Sequence, residues 1–414
     1  MQTRLCCSAA AEYIRRKHTL ARIGKTILPL GGELLYLNRI LTMRRHNEPI
    51  ILCYHGIVPD EIAEDLLQDG NLVGLAEFSE QMSLVAQTMT PICLSALDSW
   101  LRGDSALPKH PVLITLDDGY RNNLVHAAAI LLKYGIPAVI FPTVGYIGTD
   151  RLLWPTEVYR SVLLWPTPLV PLPDGSVITV PPDDLQKRRA LAEWVREFCK
   201  TLSEELKREY LLRLRETTFP TLTPNEKEMF SLLSWEETCR LHQMGFSIGS
   251  HTMDHCILTR IKADDRRREL EESRQQLEKH LNTSCISIAY PNGSPADYSP
   301  RVLSDVAQAG YKLGFTINAG ACTRRTDPLT LSRISIPGKL SRLAYQSRIS
   351  GLHDLLRSRL RHISGSAGFS HGPEPTDYSG YKTVSSETSL YQAGVDSSNL
   401  QAAEPEQAHT RMNL

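Results

Sequence analysis

The sequence predicts an α/β protein assembled from parallel βα units, and three observations carry that prediction. Seven short apolar runs rich in β-branched and aromatic residues recur along the chain, and helix-like segments separate most consecutive pairs. The runs are apolar almost throughout instead of alternating, which is the pattern of strands buried on both faces. Polar residues gather just beyond the C-terminal ends of the runs, at His55, Asp117 and Asp118, His251, and Pro291-Asn-Gly293. In a β/α barrel that is the face on which sites are built.

The predicted strands are residues 49–54, 111–116, 138–142, 246–250, 285–290, 313–317 and 331–336. Predicted helices cover 78–89, 122–134, 234–244, 264–281 and 300–309. The helix at 234 opens with Ser234 followed three residues later by Glu237, the pattern of a capping box. Between the third and fourth strands lies an insertion, 149–233. It holds a hairpin turn at Asp174-Gly175, the alternating run Val177-Ile-Thr-Val180, and a charged helical stretch over 183–216. Its place in the chain puts it beside the C-terminal face of the strands, as a lid or a groove wall. Trp154 and Trp165 within it are either core aromatics or platforms for sugar rings.

The barrel domain is expected over 48–362, with the basic run 339–362 as its last helix. Residues 1–47 carry nine Lys/Arg against two Asp/Glu among apolar residues. This basic amphipathic segment either packs on the domain or lies on an anionic membrane surface. Residues 363–414 are rich in Ser, Gly, Pro and Glu with few large apolar side chains, which reads as a disordered tail.

At 414 residues and 42% hydrophobic content the chain can bury a sizeable core. Lys+Arg and Asp+Glu are equal at 46 each, so its charge gives no support for nucleic acid as a partner. Nine scattered cysteines without C-x-x-C spacing argue against a disulfide framework or a cysteine zinc site. The longest apolar stretch, 127–148, is broken by Lys133, Gly135 and Pro137. Residues 19–41 are interrupted by Arg22, Lys25, Glu33 and Arg39, unlike the core of a signal peptide. The expectation is a cytoplasmic protein, with membrane-peripheral contact through the basic N-terminus as the variant of that reading.

Two short motifs point to chemistry. Asp117-Asp-Gly119 closes the second strand, and His251-Thr-Met-Asp-His255 follows the fourth. Successive side chains of an extended chain point to opposite faces, so one of two adjacent carboxylates can bind a metal while the other stays free as a base. His251 and His255, four apart, share one face if a helix or turn begins at the first of them. Two histidines and one aspartate leave coordination positions open, as catalytic zinc sites do. Alone, Asp-Asp-Gly is an ordinary turn and H-x-x-x-H an ordinary pair of histidines. Their succession, each closing an apolar strand, is what points to one hydrolytic site.

At these residues the chain resembles the polysaccharide deacetylases, the NodB-homology or family 4 carbohydrate esterases. Their first two motifs, T-F-D-D-G and H-[ST]-x-x-H, are matched by Thr115-Leu-Asp-Asp-Gly119 and His251-Thr-Met-Asp-His255. The resemblance covers about residues 48–340 and implies a distorted, TIM-like (β/α)7 barrel. It implies that Asp117 is the catalytic base and that Asp118, His251 and His255 bind a divalent metal, zinc being the expected ion. The third motif, R-x-P-[YF]-G, is met by Ala289-Tyr-Pro-Asn-Gly293, so Tyr290, Pro291, Asn292 and Gly293 are expected at the oxyanion site and groove, with the backbone donor near Asn292. Alanine replaces the arginine that holds the base, and Arg333 on the last strand is the candidate substitute. The L-x-H motif of the general acid reads Leu331-Ser-Arg333, and arginine cannot donate a proton near neutral pH. A circularly permuted branch carries that histidine on its first strand, where Leu52-Cys-Tyr-His55 stands here, so His55 is assigned as the acid. Leu153-Trp-Pro-Thr-Glu157 is the nearest candidate for the groove-lining motif and places Trp154 there.

The expected function is metal-dependent hydrolysis of acetyl groups, foremost N-acetyl groups on an N-acetylhexosamine glycan. The Tyr-Pro-Asn-Gly form and the insertion resemble the branch associated with bacterial exopolysaccharide assembly, so the expected substrate is an acetylated glycan or a glycan-lipid. O-acetyl hydrolysis, as on xylan, and a barrel that binds glycan without turnover are the alternatives. A metalloprotease is disfavoured because Thr252 stands where the general base of H-E-x-x-H would be.

Overall fold

In the computed structural model, residues 48–218, 221–318, 320, 322–352 and 383–384 are described. The first 47 residues, and with them the basic amphipathic segment, lie outside the described residues. So does 353–362, the end of the predicted last helix.

All seven predicted strands form, several of them shorter than the apolar runs that contain them. They are β1 (Ile50–Tyr54), β2 (Pro111–Asp118), β3 (Ala138–Pro142), β4 (Ser247–Ile248), β5 (Ser287–Ala289), β6 (Leu313–Phe315) and β7 (Ile334–Ser335). Parallel pairing connects β7 to β1, β1 to β2, β2 to β3 and β3 to β4, with registers such as Leu52↔Ile334, Cys53↔Thr115, Leu116↔Ile140 and Ile140↔Ile248. A parallel bridge, Ser250↔Ile288, carries the pairing to β5, which pairs with β6, and a second bridge, Phe315↔Leu331, returns it to the segment entering β7. The circuit is therefore closed, and no strand of the seven keeps an open edge. β1, β2 and β3 are buried at every residue, as their unbroken apolar character requires.

Helices α1 (Leu75–Thr88), α2 (Leu94–Arg102) and α3 (Ala128–Lys133) flank the first three strands. A π-helical turn, Asn123–Ala127, precedes α3 inside the segment read as one helix. The insertion contributes α4 (Trp154–Leu163), α5 (Leu185–Cys199), α6 (Glu204–Thr218) and α7 (Pro224–Phe230). Past it come α8 (Trp235–Gln243), α9 (Ala263–Leu281), α10 (Pro300–Gln308) and α11 (Arg342–Ile349). Both halves of the predicted capping box are made: Ser234 Oγ accepts the Glu237 N–H at 3.1 Å, and Glu237 accepts the Ser234 N–H at 3.0 Å. Helix α2 and the parallel pair Gly56–Val58 with Leu72–Gly74 were not anticipated, because these segments are short and weakly periodic.

The insertion has a core of its own, in which Trp154, Tyr159, Trp165, Trp194 and Tyr210 are buried. Each fully buried side chain of this size contributes at least about 1.5–3 kcal/mol by leaving water. Its hairpin forms as predicted, with Leu169–Pro171 antiparallel to Val177–Thr179 and Gly175 in the left-handed region at φ 85°. The charged stretch is two helices, not one, broken between Cys199 and Glu204. Arg188 of α5 is wholly buried and donates to the carbonyls of Val162, Thr167, Val180 and Pro181, tying α4, the hairpin and α5 together. Within the presumed tail, Thr383–Val384 pairs antiparallel with Val177–Thr179, so those two residues depart from the expectation of a structureless segment. The rest of 363–414 lies outside the described residues. Among the described residues no helix is long and apolar enough to cross a membrane.

Candidate active site

Strand alternation brings the first cluster together. Cys53 of β1 and His55 just past it are two apart and share a face; Cys53 pairs in register with Thr115 of β2, and Thr115 and Asp117 share that face in turn. Arg333, just before β7 on the other side of β1, points into the same interior. Its guanidinium grips Asp117 with both arms, Nη1 to Oδ1 and Nη2 to Oδ2, each at 2.7 Å. It also donates to Thr115 Oγ1 at 3.1 Å and to the Thr316 carbonyl at 3.0 Å, and it lies between the Phe141 and Phe315 rings, 5.9 and 6.0 Å from their centroids. Arg333 is wholly buried. The cation held against Asp117 thus comes from the residue just before the last strand.

Asp118 turns the other way. It adopts φ 74°, and Gly119 follows at φ 79°, so the chain leaves the strand at once and the second carboxylate departs from the first. Asp118 Oδ1 lies 3.4 Å from His251 Nε2 and 3.3 Å from His255 Nε2. Ligands about 2.0–2.1 Å from a tetrahedral ion stand roughly 3.3–3.4 Å apart, so these separations are those of a tetrahedron's edges. His251 Nδ1 donates to the Ala289 carbonyl at 2.8 Å, which orients the ring and leaves Nε2 as the atom facing Asp118. The three residues fit a divalent ion by donor type, spacing and orientation.

The two histidines do not share a helical face. Residues 251–255 form an irregular turn with Thr252 at φ 66° and His255 at φ 56°. Left-handed backbone at non-glycine residues costs about 1–3 kcal/mol each and persists only where its surroundings impose it. Asp118, Thr252, His255 and Asn292 (φ 61°) are four of the seven non-glycine residues so held among the described residues, and all four stand at this site.

Two supports of that turn were not foreseen. Glu269 of α9 is buried and accepts the backbone N–H groups of Met253 and Asp254 at 2.9 and 2.8 Å. Its one signal in the sequence is its place on the buried stripe Arg266, Glu269, Leu270, Ser273, Leu277 of an otherwise charged helix. Trp154 is 4% exposed, and its indole N–H donates to the His255 carbonyl at 3.0 Å while Lys207 of α6 stands 4.2 Å from its ring centroid. Trp154 is therefore an anchor behind the histidine turn and not a platform in an open groove. Trp165 is likewise buried, donating to the Leu169 carbonyl at 2.8 Å. The insertion backs the site from behind through α4 and α6.

The loop after β5 also differs in part from expectation. Tyr290 is buried, stacked on Tyr298 with its hydroxyl donating to the Leu329 carbonyl at 2.8 Å, so its side chain supports the loop and does not line a groove. Pro291 and Gly293 are buried as well. Asn292 is half-exposed; its side chain donates to Asp297 at 2.5 Å, and among the described residues no acceptor takes its backbone N–H. Ile317, 39% exposed, donates its N–H to the Gly293 carbonyl at 3.0 Å and adds an apolar surface beside the loop.

His55 is half-exposed and lies with Cys53 Sγ and Asp117 in a group whose ligand-type atoms are all within 4.8 Å of one another. Burial would raise the pKa of Asp117, but the charges of Arg333 and His251 outweigh it and hold the carboxyl below its ordinary value. For Asp118 burial is likewise overcome, by hydrogen bonds from His251 and His255, which hold it well below the usual carboxylate range. Both carboxylates are ionised near neutral pH. Burial lowers the pKa of His255, while for His251 the carboxylates of Asp118 and Asp117 overcome burial and raise it.

Residues 183–314 match the family model for polysaccharide deacetylase. The matched stretch takes in His251, His255 and the loop 290–293, and begins after Asp117 and Asp118. Over 120 residues the chain is 27% identical to YxkH of Bacillus subtilis strain 168, a protein named for polysaccharide deacetylase; the alignment covers 29% of this chain and 42% of that relative. Among solved structures it is similar to the Streptococcus pyogenes deacetylase PplD in complex with acetate, at 20% identity and TM-score 0.49 over 73% of this chain and 99% of that one. It is also similar to IcaB from Ammonifex degensii, at 18% identity and TM-score 0.46 over 74% and 96%. For the deacetylase domain of BpsB from Bordetella bronchiseptica the values are 15% and 0.43 over 70% and 97%.

Proposed function

We propose that this chain belongs to the polysaccharide deacetylase family and hydrolyses N-acetyl groups on an N-acetylhexosamine glycan with the help of a divalent ion, zinc by preference. The observation that carries the reading is the division of labour between adjacent carboxylates. Asp118 converges with two histidines, while Asp117 is locked away from them by the Arg333 fork. A protein that only bound a glycan would have no use for a second, buried, ionised carboxylate held at that point.

Asp118, His251 and His255 would hold the ion, which when bound supplies Lewis acidity toward the acetyl carbonyl and the attacking water. Asp117 accepts the proton of that water, and Arg333 keeps its carboxylate ionised and aimed. The Asn292 N–H is the donor offered to the charge that develops on the carbonyl oxygen. His55, on the opposite side of Asp117 from the histidine turn's own strand, delivers a proton to the departing amine. The absence of arginine at 289 and the displaced acid favoured a barrel that binds without turnover; the Arg333 fork on Asp117 and the place of His55 beside it support turnover instead. The Tyr290-Pro-Asn-Gly293 form and the insertion support a glycan or lipid-linked glycan of exopolysaccharide assembly as the substrate, with the basic segment 1–47 as a contact to the membrane surface.

The test is acetate release from N-acetylglucosamine oligomers by the full chain, stripped of metal and reloaded with zinc, with His251→Ala as control. Release that follows zinc and is lost in the variant supports the reading. Stoichiometric zinc binding without release from these oligomers sinks it, and release from acetylated xylan in their place would assign O-acetyl esters.

A further inference from the structure

We propose that the chain has a second divalent-cation site, formed by Cys53, His55 and Asp117, beside the one formed by Asp118, His251 and His255. The site itself stands on geometry alone; that an ion in it blocks turnover rests on the deacetylase reading.

The second group is built by strand geometry. Cys53 and His55 lie two apart at the end of β1 and face the same way, and β2 places Asp117 opposite them. Cys53 Sγ is 3.5 Å from Asp117 Oδ2, and thiol, imidazole and carboxylate atoms all lie within 4.8 Å of one another. Sulfur, nitrogen and oxygen donors in a three-residue set suit zinc and its chemical relatives, and leave a coordination position open.

The neighbouring guanidinium does not forbid the ion. Arg333 engages Asp117 through one hydrogen bond to each oxygen, and a carboxylate oxygen has a further lone pair. On binding, the thiol loses its proton to solvent and a sulfur–metal bond forms in place of the S–H bond. The ligands Cys53 thiolate, Asp117 carboxylate and neutral His55, taken with the Arg333 cation, then carry a net charge of about −1, the same as Asp118 with two neutral histidines. Asp118 Oδ1 already stands 3.4 and 3.3 Å from the Nε2 atoms of His251 and His255, the edges of a tetrahedron, so the first site fills before the second. An ion in the second site would occupy both the proposed base and the proposed acid, so zinc should activate at low concentration and inhibit in excess.

Cobalt(II) is the probe, because a thiolate ligand gives it a near-ultraviolet charge-transfer band that histidine and carboxylate ligands do not. Titration of the metal-stripped full chain should bind about two ions, the first without the band and the second with it. Cys53→Ser, nearly isosteric with the native residue, should bind about one ion and show no band. His251→Ala should lose the first ion and keep the band, and His55→Ala should lose the second. A wild-type chain that binds one ion without a thiolate band would overturn the site, as would a band that survives in Cys53→Ser. These readouts are independent of turnover, so failure of the deacetylase reading would leave them standing. In activity, the ratio of the rate at one equivalent of zinc to the rate in excess should exceed unity severalfold in the wild type and return to about one in Cys53→Ser. Inhibition that persists in Cys53→Ser would place the blocking ion elsewhere.

Discussion

Arg333 and Asp117 meet in a two-armed ion pair, 2.7 Å at each contact, although they stand 216 positions apart in the chain. The pair is wholly enclosed, with side-chain exposures of 0% and 4%. Removing one member of such a pair leaves a buried charge uncompensated and costs about 3–5 kcal/mol.

Arg333→Gln should therefore lower stability by about that amount and slow turnover. The sign of the pH effect follows from what remains. In the wild type the carboxyl of Asp117 is held below its ordinary value, so the pair's stabilisation is complete above about pH 3.8 and lost as pH falls through the lower folded value. Without Arg333, burial dominates and raises that pKa. The acidic limb of the pH–rate profile should move to higher pH, and a limb that stays in place would show that Asp117 is not the group being titrated. Arg333→Lys keeps a charge but not the fork, and should restore only part of the rate.

Asp117→Asn and His251→Ala should separate base from ligand. In a Cys53→Ser background, where the second site cannot fill, the first should reduce turnover by about 10²–10⁴ while zinc content measured by elemental analysis stays near that of the background. The second should lose zinc and turnover together. Equal loss of metal in both variants would reverse the roles given to Asp117 and Asp118.

His55→Ala should reduce the rate on N-acetyl substrates by about a hundredfold or more if the residue protonates the leaving amine. An aryl acetate, whose phenolate departs without needing a proton, should be hydrolysed at nearly the wild-type rate. Equal losses on both substrates would give His55 a positioning role in place of a proton-donating one.

Glu269 supports the histidine turn as a buried carboxyl, and burial raises its pKa from 4.5 to about 7 against the opposing pull of the two N–H groups it accepts. A carboxyl with a raised folded pKa binds its proton more tightly in the folded state, so stability should fall as pH rises from about 4.5 to about 7 and level off above. Denaturant unfolding of the metal-free protein across that range measures the slope, and Glu269→Gln should flatten it. Glu269→Ala leaves both N–H groups unpaired and should weaken zinc binding about 10–100-fold. Unchanged affinity would mean that the turn holds its shape without this residue.

Much of the architecture was legible because it is encoded locally. Unbroken apolar runs marked the seven strands, Ser234 and Glu237 marked a helix start, and Asp174-Gly175 marked the hairpin. The residues that the structure brings together at the site were legible for the same reason: Asp117 and Asp118 adjoin, and His251 and His255 lie four apart, so each motif is complete within one turn of chain. The helical geometry assumed for the histidines was not, since Thr252 and His255 take a left-handed backbone imposed by Glu269 and Trp154, two residues from other elements.

What the sequence by itself determined was the set of buried strands, the order of βα units and the donor atoms of the metal-type cluster, all of which follow from periodicity and short-range spacing. What only the tertiary structure decided was which side chains meet across the barrel. The pairing of Arg333 with Asp117, the approach of Cys53 to the same carboxylate and the burial of Trp154 behind His255 depend on strand register and ring closure. Alternation tells which way a side chain points from its strand. Only the closed circuit of hydrogen bonds sets which other side chains it faces, because that circuit makes neighbours of strands far apart in the chain.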